Sequence, residues 1–107
     1  SSGKEIHAVV AQNDAMALGA LMAIDAKGLT GQIKVYGIDA QAEALQAVAD
    51  GRMNGTVFQN AEAQGAAGVE VALEAALGHA IEKNNYIPYE PVRADQVPEY
   101  QAKLGIK

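Results

Sequence analysis

The fold is decided by residues 6–28, IHAVVAQNDAMALGALMAIDAKG. The apolar run over 6–11 is rich in β-branched residues and predicts a buried strand, which the polar residues 12–14 stop. Residues 15–27 are nearly all good helix formers, and Gly28 follows where a left-handed cap is favourable. The helix is apolar almost all round, which favours burial on more than one side.

The same strand-then-helix pattern occurs twice more along the chain. It predicts a strand over 33–38, a helix over 41–50, a strand over 56–58 and a helix over 62–77. Strands that alternate with helices imply crossover connections and a parallel sheet. The predicted fold class is therefore α/β, a parallel open sheet with flanking helices in the order β-α-β-α-β-α. An extended tail follows over 86–92, where two prolines disfavour a helix, and residues 95–103 predict a final short helix.

Three strands make a narrow sheet for this class, in which five or so is usual. One sheet edge and one face of the first helix then lack a partner. The chain is either a small α/β domain complete in itself or a piece whose neighbouring strands belong to a longer chain. We favour the second alternative because unpaired strand edges are normally avoided. A fragment with such an edge is expected to self-associate.

Composition excludes several classes of function. The chain carries 13 acidic and 8 basic residues, and its Lys and Arg residues form no cluster, which argues against nucleic acid and anionic membranes as partners. Cysteine is absent, so disulfides and thiolate chemistry are excluded. The two histidines, His7 and His79, lie far apart in the sequence, and we predict neither a metal nor any other cofactor. No apolar run approaches the roughly 18 residues of a membrane span.

Polar side chains follow each predicted strand, at the edge where open parallel sheets bind ligands. The candidate ligand-binding residues are Asn13, Asp39 and Gln59, and no Lys, Arg or His accompanies them. Amides and carboxylates without cations suit a neutral polyhydroxylated ligand, whose hydroxyls both donate and accept. Two of these positions also have a structural explanation: Asn13 or Asp14 is the natural N-cap of the first helix, and Asp39 is suited to a turn.

The sequence does not support an enzymatic function. It contains no GxGxxG motif, P-loop or GxSxG elbow, and no nucleophile with a base nearby. A phosphoacceptor domain needs a cluster of acids and a late lysine, and Asp14 with Asp39 supplies at most half of that. We therefore predict that the chain is not an enzyme.

Several motifs in order resemble those of periplasmic sugar-binding proteins of the ribose-binding protein type, in their C-terminal portion. They are VAQNDAMALGA over 10–20, VYGID over 35–39, ADG over 49–51, TVFQ over 56–59 and IPYEPV over 87–92. The resemblance covers essentially the whole chain. The first of these motifs is shared with the sugar-sensing domains of the lac-repressor family.

The resemblance implies a two-lobed protein that closes on a sugar in the periplasm and delivers it to the permease of an ABC-type importer. It assigns Asn13, Asp39 and Gln59 to sugar-contacting positions of the C-terminal lobe. A signal peptide is expected upstream of the sequence shown. Because the partner lobe is absent, we expect the fragment to bind sugar weakly or not at all.

The resemblance also divides residues 1–107, a single partial domain, into three segments. Residues 1–59 form the βαβαβ part of the C-terminal lobe, and 60–85 form a helix and loop that would pack on the other lobe. Residues 86–107 are a closing hinge segment and terminal helix. Two alternatives stay open: the sensor domain of a lac-repressor-type regulator, and a small flavodoxin-like module without a ligand.

Overall fold

A computed structural model describes residues 3–106, so residues 1, 2 and 107 of the predicted segments lie outside the description. The elements are β1 (Ala8–Val10), α1 (Asp14–Ala26), β2 (Lys34–Tyr36), α2 (Ala42–Ala49), β3 (Thr56–Phe58), α3 (Ala61–Ala76), β4 (Glu90–Val92), a short 3-10 helix (Ala94–Gln96) and α4 (Val97–Lys103). They form two compact units, Ser1–Phe58 with Glu90–Lys107, and Gln59–Tyr89.

The sheet of the first unit confirms the predicted α/β class. Strand β1 pairs with β2 in parallel, with Val9 opposite Val35. A parallel bridge between Tyr36 and Gly55 links β2 to the segment entering β3. Strand β4 then pairs antiparallel with β3. The tail predicted to be extended thus adds a strand at the sheet edge, where a proline, which lacks a backbone N–H, is tolerated.

The core of the first unit lies where α1, α2 and α4 cover the sheet. Its most deeply buried side chains are Ala17, Leu21, Val35, Ala44, Leu45, Val48, Met53, Val92 and Val97. The buried positions of α2 recur at helical spacing, as the sequence predicts. Gly28 and Gly51 follow α1 and α2 with φ of +66° and +73°, a conformation that costs glycine little.

One edge of this sheet is open. Among residues 3–106, β1 pairs with β2 alone, and Val10 within it is 77% exposed. Helix α1 buries a single face, so that Met22 on another face is 71% exposed. The expectation of a buried first strand is therefore wrong for this chain, because no described element covers that side of the sheet. The expectation of an unpartnered edge and helix face is confirmed.

Polar side chains of helix α4 form hydrogen bonds and an ion pair with β4. The Tyr100 hydroxyl donates to Glu90 Oε2 at 2.6 Å, and the Lys103 ammonium lies 3.2 Å from the same oxygen. Hydrogen bonds from Tyr100 and Lys103 hold the pKa of Glu90 below its usual range, and the bond to Glu90 raises the pKa of Tyr100 to about 12. The predicted terminal helix is present, and these contacts fix it against the last strand.

The second unit contains α3 and the segment that follows it. Asn60 caps the helix, its Oδ1 accepting from the Ala63 N–H at 3.0 Å. No residue of α3 is buried, and Val69 and Leu73 within it and Leu77, its C-cap, are all more than half exposed. None of the helices in the described range is both long and apolar enough to cross a membrane.

Candidate functional site

The carboxyl ends of the three parallel segments lie side by side in the first unit. The Asp14 N–H donates to the Ile38 carbonyl at 2.7 Å, which joins the end of β1 to the end of β2. The Asp39 N–H donates to the Val57 carbonyl at 2.8 Å, which joins the end of β2 to β3. This edge is where an open parallel sheet presents its ligand-binding groups.

Asn13 begins α1 at this edge. Its Oδ1 accepts from the Met16 N–H at 2.9 Å, so Asn13, rather than Asp14, is the N-cap. An amide carries two N–H donors in addition to its oxygen, and the cap uses only the oxygen. Asn13 is partly exposed, so its capping role and a ligand contact are compatible.

Asp39 lies just beyond β2 in a strained backbone conformation. Its φ is +123°, and that of the next residue, Ala40, is +56°. Two successive non-glycine residues with positive φ cost on the order of 1–3 kcal/mol each, and such strain clusters at functional sites. Asp39 is partly exposed while Ala40 is buried, so the strained turn leaves a carboxylate at the accessible edge.

Gln59 directly follows β3 and is the first residue of the second unit. It is partly exposed, and its carbonyl accepts from the Ala61 N–H at 2.8 Å at the start of α3. The structure therefore brings Asn13 and Asp39 to one edge within the first unit, and Gln59, which follows Phe58 directly, begins the second unit.

Asp14 is a residue of this edge whose role the sequence did not reveal. It is completely buried, its Oδ1 accepting from the Thr56 hydroxyl at 2.6 Å and its Oδ2 from the Gln41 N–H at 2.8 Å. Burial raises the pKa of Asp14, and the charge of Asp39 adds to the rise, while both hydrogen bonds act in the opposite direction. From sequence alone, an aspartate at the start of a helix is indistinguishable from a cap.

Gly37 leaves the space that the Asp14 carboxylate occupies. A Cβ placed on Gly37 would lie 2.2 Å from Asp14 Oδ1 and 3.1 Å from the Ala17 Cβ. Its φ is not positive, so space rather than backbone freedom requires glycine here. The glycine of the VYGID segment and the aspartate of the NDAM segment are therefore sterically matched.

The polar groups at this edge can both donate and accept hydrogen bonds. An amide at residue 13 and a carboxylate at residue 39 supply both donors and acceptors. Within residues 3–106 no group of three or more His, Cys, Asp or Glu side chains is arranged to hold a metal ion. These groups are able to bind hydroxyls, and no set of them is suited to a metal.

A protein-family profile described as "Periplasmic binding protein domain" matches residues 1–80. The chain belongs to the periplasmic binding protein family. This match confirms the resemblance to periplasmic binding proteins that the sequence motifs indicate, and the fold agrees with it. Members of this family are substrate-binding components of transport systems.

Relatives within the periplasmic binding protein family are bacterial. A putative rhizopine-binding protein from Rhizobium meliloti is 41% identical over 96% of this chain, and the ribose import binding protein of Salmonella typhimurium is 40% identical over 73%. A solute-binding protein from Bacillus halodurans with bound myo-inositol superposes with a TM-score of 0.82 at 51% identity, over 95% of this chain. The chain spans between a quarter and about a third of their length: 34%, 26% and 35%, in the same order.

Replacing Gly37 with alanine tests the steric match with Asp14. We expect Gly37→Ala to lower the free energy of unfolding by about 2 kcal/mol or more, because the new methyl group overlaps a buried carboxylate and its backbone. Gly19→Ala is the control, since a Cβ at Gly19 in α1 meets nothing within 4 Å. That variant should gain up to about 1 kcal/mol of stability. Urea unfolding of both variants measures the difference, and equal effects would contradict the match.

Proposed function

We propose that this chain forms part of a periplasmic binding protein that binds a neutral sugar or polyol through Asn13, Asp39 and Gln59. The observation that carries the proposal is the strained turn that holds partly exposed Asp39 at the sheet edge where Asn13 caps α1. A carboxylate accepts hydrogen bonds from two sugar hydroxyls, and charge-assisted bonds of this kind are among the strongest that a neutral ligand makes.

The ligand class is inferred from the charges at the edge. A phosphorylated sugar would require cationic side chains or a glycine-rich loop before a helix, whereas Asp39 would repel it. Relatives with structures carry myo-inositol in the Bacillus halodurans protein and D-allose in that of Actinobacillus succinogenes. Both are uncharged and polyhydroxylated, which supports a pentose, hexose or polyol ligand here.

The whole protein, in this proposal, acts in the periplasm and passes its ligand to an ABC-type permease without chemical change. A second lobe would supply the remaining contacts. Val69 and Leu73 of α3 and its C-cap residue Leu77 are exposed in the present chain and would contact that lobe. Exposed apolar groups of this size on one helix support such a covering partner.

A chimera tests the role of Asp39. The chimera is the Bacillus halodurans protein with its matching third replaced by this chain. Its binding of myo-inositol, ribose, xylitol, allose and galactose is measured by calorimetry. We expect binding of at least one of them, and Asp39→Asn should weaken it by about tenfold or more, because a charge-assisted hydrogen bond is lost while the side-chain shape is kept.

The control for Asp39→Asn is Glu43→Gln, which removes the same charge from an exposed side chain in the first turn of α2. It should change affinity by less than about twofold, since an exposed charge contributes little. Equal affinities of the Asp39→Asn chimera and its parent would contradict the proposed contact. Binding of a sugar phosphate in preference to every neutral sugar would contradict the ligand class.

Two substitutions separate the capping role of Asn13 from its ligand contact. Serine retains a cap acceptor and alanine does not, so Asn13→Ala should be less stable than Asn13→Ser by about 1 kcal/mol. Both remove the amide donors, so both should weaken sugar binding by the chimera by about fivefold or more. Thermal unfolding and calorimetry measure the two effects. If the serine variant binds like the parent, Asn13 is a cap alone.

The 107-residue chain by itself is expected to bind none of these sugars with a Kd below about 1 mM, because a site that encloses little of its ligand leaves the hydroxyls in water. Calorimetry of the isolated chain against the same panel provides the measurement, with the chimera as the matched positive control. Micromolar binding by the isolated chain would show that one lobe suffices.

A further inference from the structure

A buried carboxylate stands directly behind the proposed ligand-binding turn. Asp14 has no exposed surface, and its two oxygens accept hydrogen bonds from different segments of the chain, Thr56 in β3 and Gln41 before α2. Both of these donors are neutral, and none of the ion pairs formed within residues 3–106 involves Asp14. Burying a charged group without a cationic partner is unfavourable, so its presence here calls for a structural or functional reason.

Asp14 holds the turn formed by Asp39, Ala40 and Gln41, hereafter the 39–41 turn, through two routes. Directly, its Oδ2 accepts the Gln41 N–H at 2.8 Å. Indirectly, the Thr56 hydroxyl donates to Asp14 Oδ1 at 2.6 Å and accepts from the Ala40 N–H at 3.3 Å. In both cases the final donor is a backbone N–H group of the turn, that of Gln41 or that of Ala40.

The 39–41 turn needs such support because of its backbone angles. Asp39 and Ala40 both have positive φ, a region that favours glycine, although neither is glycine. Residues held in such conformations persist only where their surroundings over-determine them. The hydrogen bonds from Ala40 and Gln41, with that of the Asp39 N–H to Val57, supply that determination.

We propose that Asp14 is a positioning residue for the sugar site: its buried carboxylate sets the conformation of the 39–41 turn and thereby the direction of the Asp39 side chain. Asp14 itself has no accessible surface, so its proposed effect on the site acts through the 39–41 turn. The consequence for affinity rests on the proposed function of Asp39. The effect on the turn is independent of that function and is measured without a ligand.

Hydrogen exchange of backbone amides in the 107-residue chain tests the effect on the turn. Thr56→Val keeps the side-chain shape and removes the hydroxyl, so protection of the Ala40 amide should fall about tenfold or more relative to that of core amides such as Leu21. Thr56→Ser keeps a hydroxyl and should retain protection within about threefold. Val48→Ala, a substitution of a buried residue of α2, should lower the protection of all amides together.

Binding by the Bacillus halodurans chimera tests the consequence for the site. Asp14→Ala removes both acceptors and should weaken sugar binding by about tenfold or more, whereas Asp14→Asn, which keeps one acceptor oxygen, should lie between it and the parent. Val48→Ala should lower the unfolding temperature while leaving affinity within about twofold, which separates positioning from general destabilisation.

Each result decides the inference. Unchanged relative protection of Ala40 in Thr56→Val, or a loss that merely matches that of Val48→Ala, overturns the claim that the buried network sets the turn. If Thr56→Val loses protection at Ala40 but the Asp14→Ala chimera binds sugar with unchanged affinity, the claim that the turn directs Asp39 is overturned. If the parent chimera binds no sugar, the proposed function is wrong, and the exchange data alone decide whether the buried hydrogen bonds between Asp14, Thr56 and Ala40 control the turn.

Discussion

The structure of the candidate site depends on one buried carboxylate. Asp14 joins the start of α1 to the segment before α2 and to the first residue of β3, so that one residue connects three segments of the chain. Removing a charge from water is costly, and burial raises the pKa of this group accordingly. Its hydrogen bonds offset that cost only while all three segments remain in register. The arrangement at the sheet edge is for this reason cooperative.

Much of the fold follows from local sequence patterns. The alternation of apolar runs with helix-forming segments predicted each of the three parallel segments, and β3 has the predicted bounds, Thr56–Phe58. The carboxyl ends of parallel strands meet at one edge whatever the side chains are, so the position of Asn13 and Asp39 followed from strand direction alone. Local signals of this kind act within a few residues and are readable without coordinates.

Other features depend on contacts between distant residues. The burial of Asp14 requires Thr56, which lies 42 positions away, and an absent side chain at Gly37. The positive φ of Asp39 and Ala40 accompanies these long-range contacts, and alanine in particular does not favour such a conformation. Exposure of β1 was also unpredictable from its own sequence, since an apolar strand is buried only if another element covers it. These features could not be predicted from local sequence because they depend on packing between distant parts of the chain.

The antiparallel pairing of β3 with β4 has a consequence for chain length. Phe58 lies opposite Glu90, so the chain leaves this sheet and returns to it at neighbouring points, after an excursion of about 30 residues. Closing a flexible loop costs entropy that grows only with the logarithm of its length, so doubling the excursion would add about 0.6 kcal/mol. Insertions and deletions between these two strands are thus thermodynamically mild, which makes this segment the natural place for evolutionary variation in size.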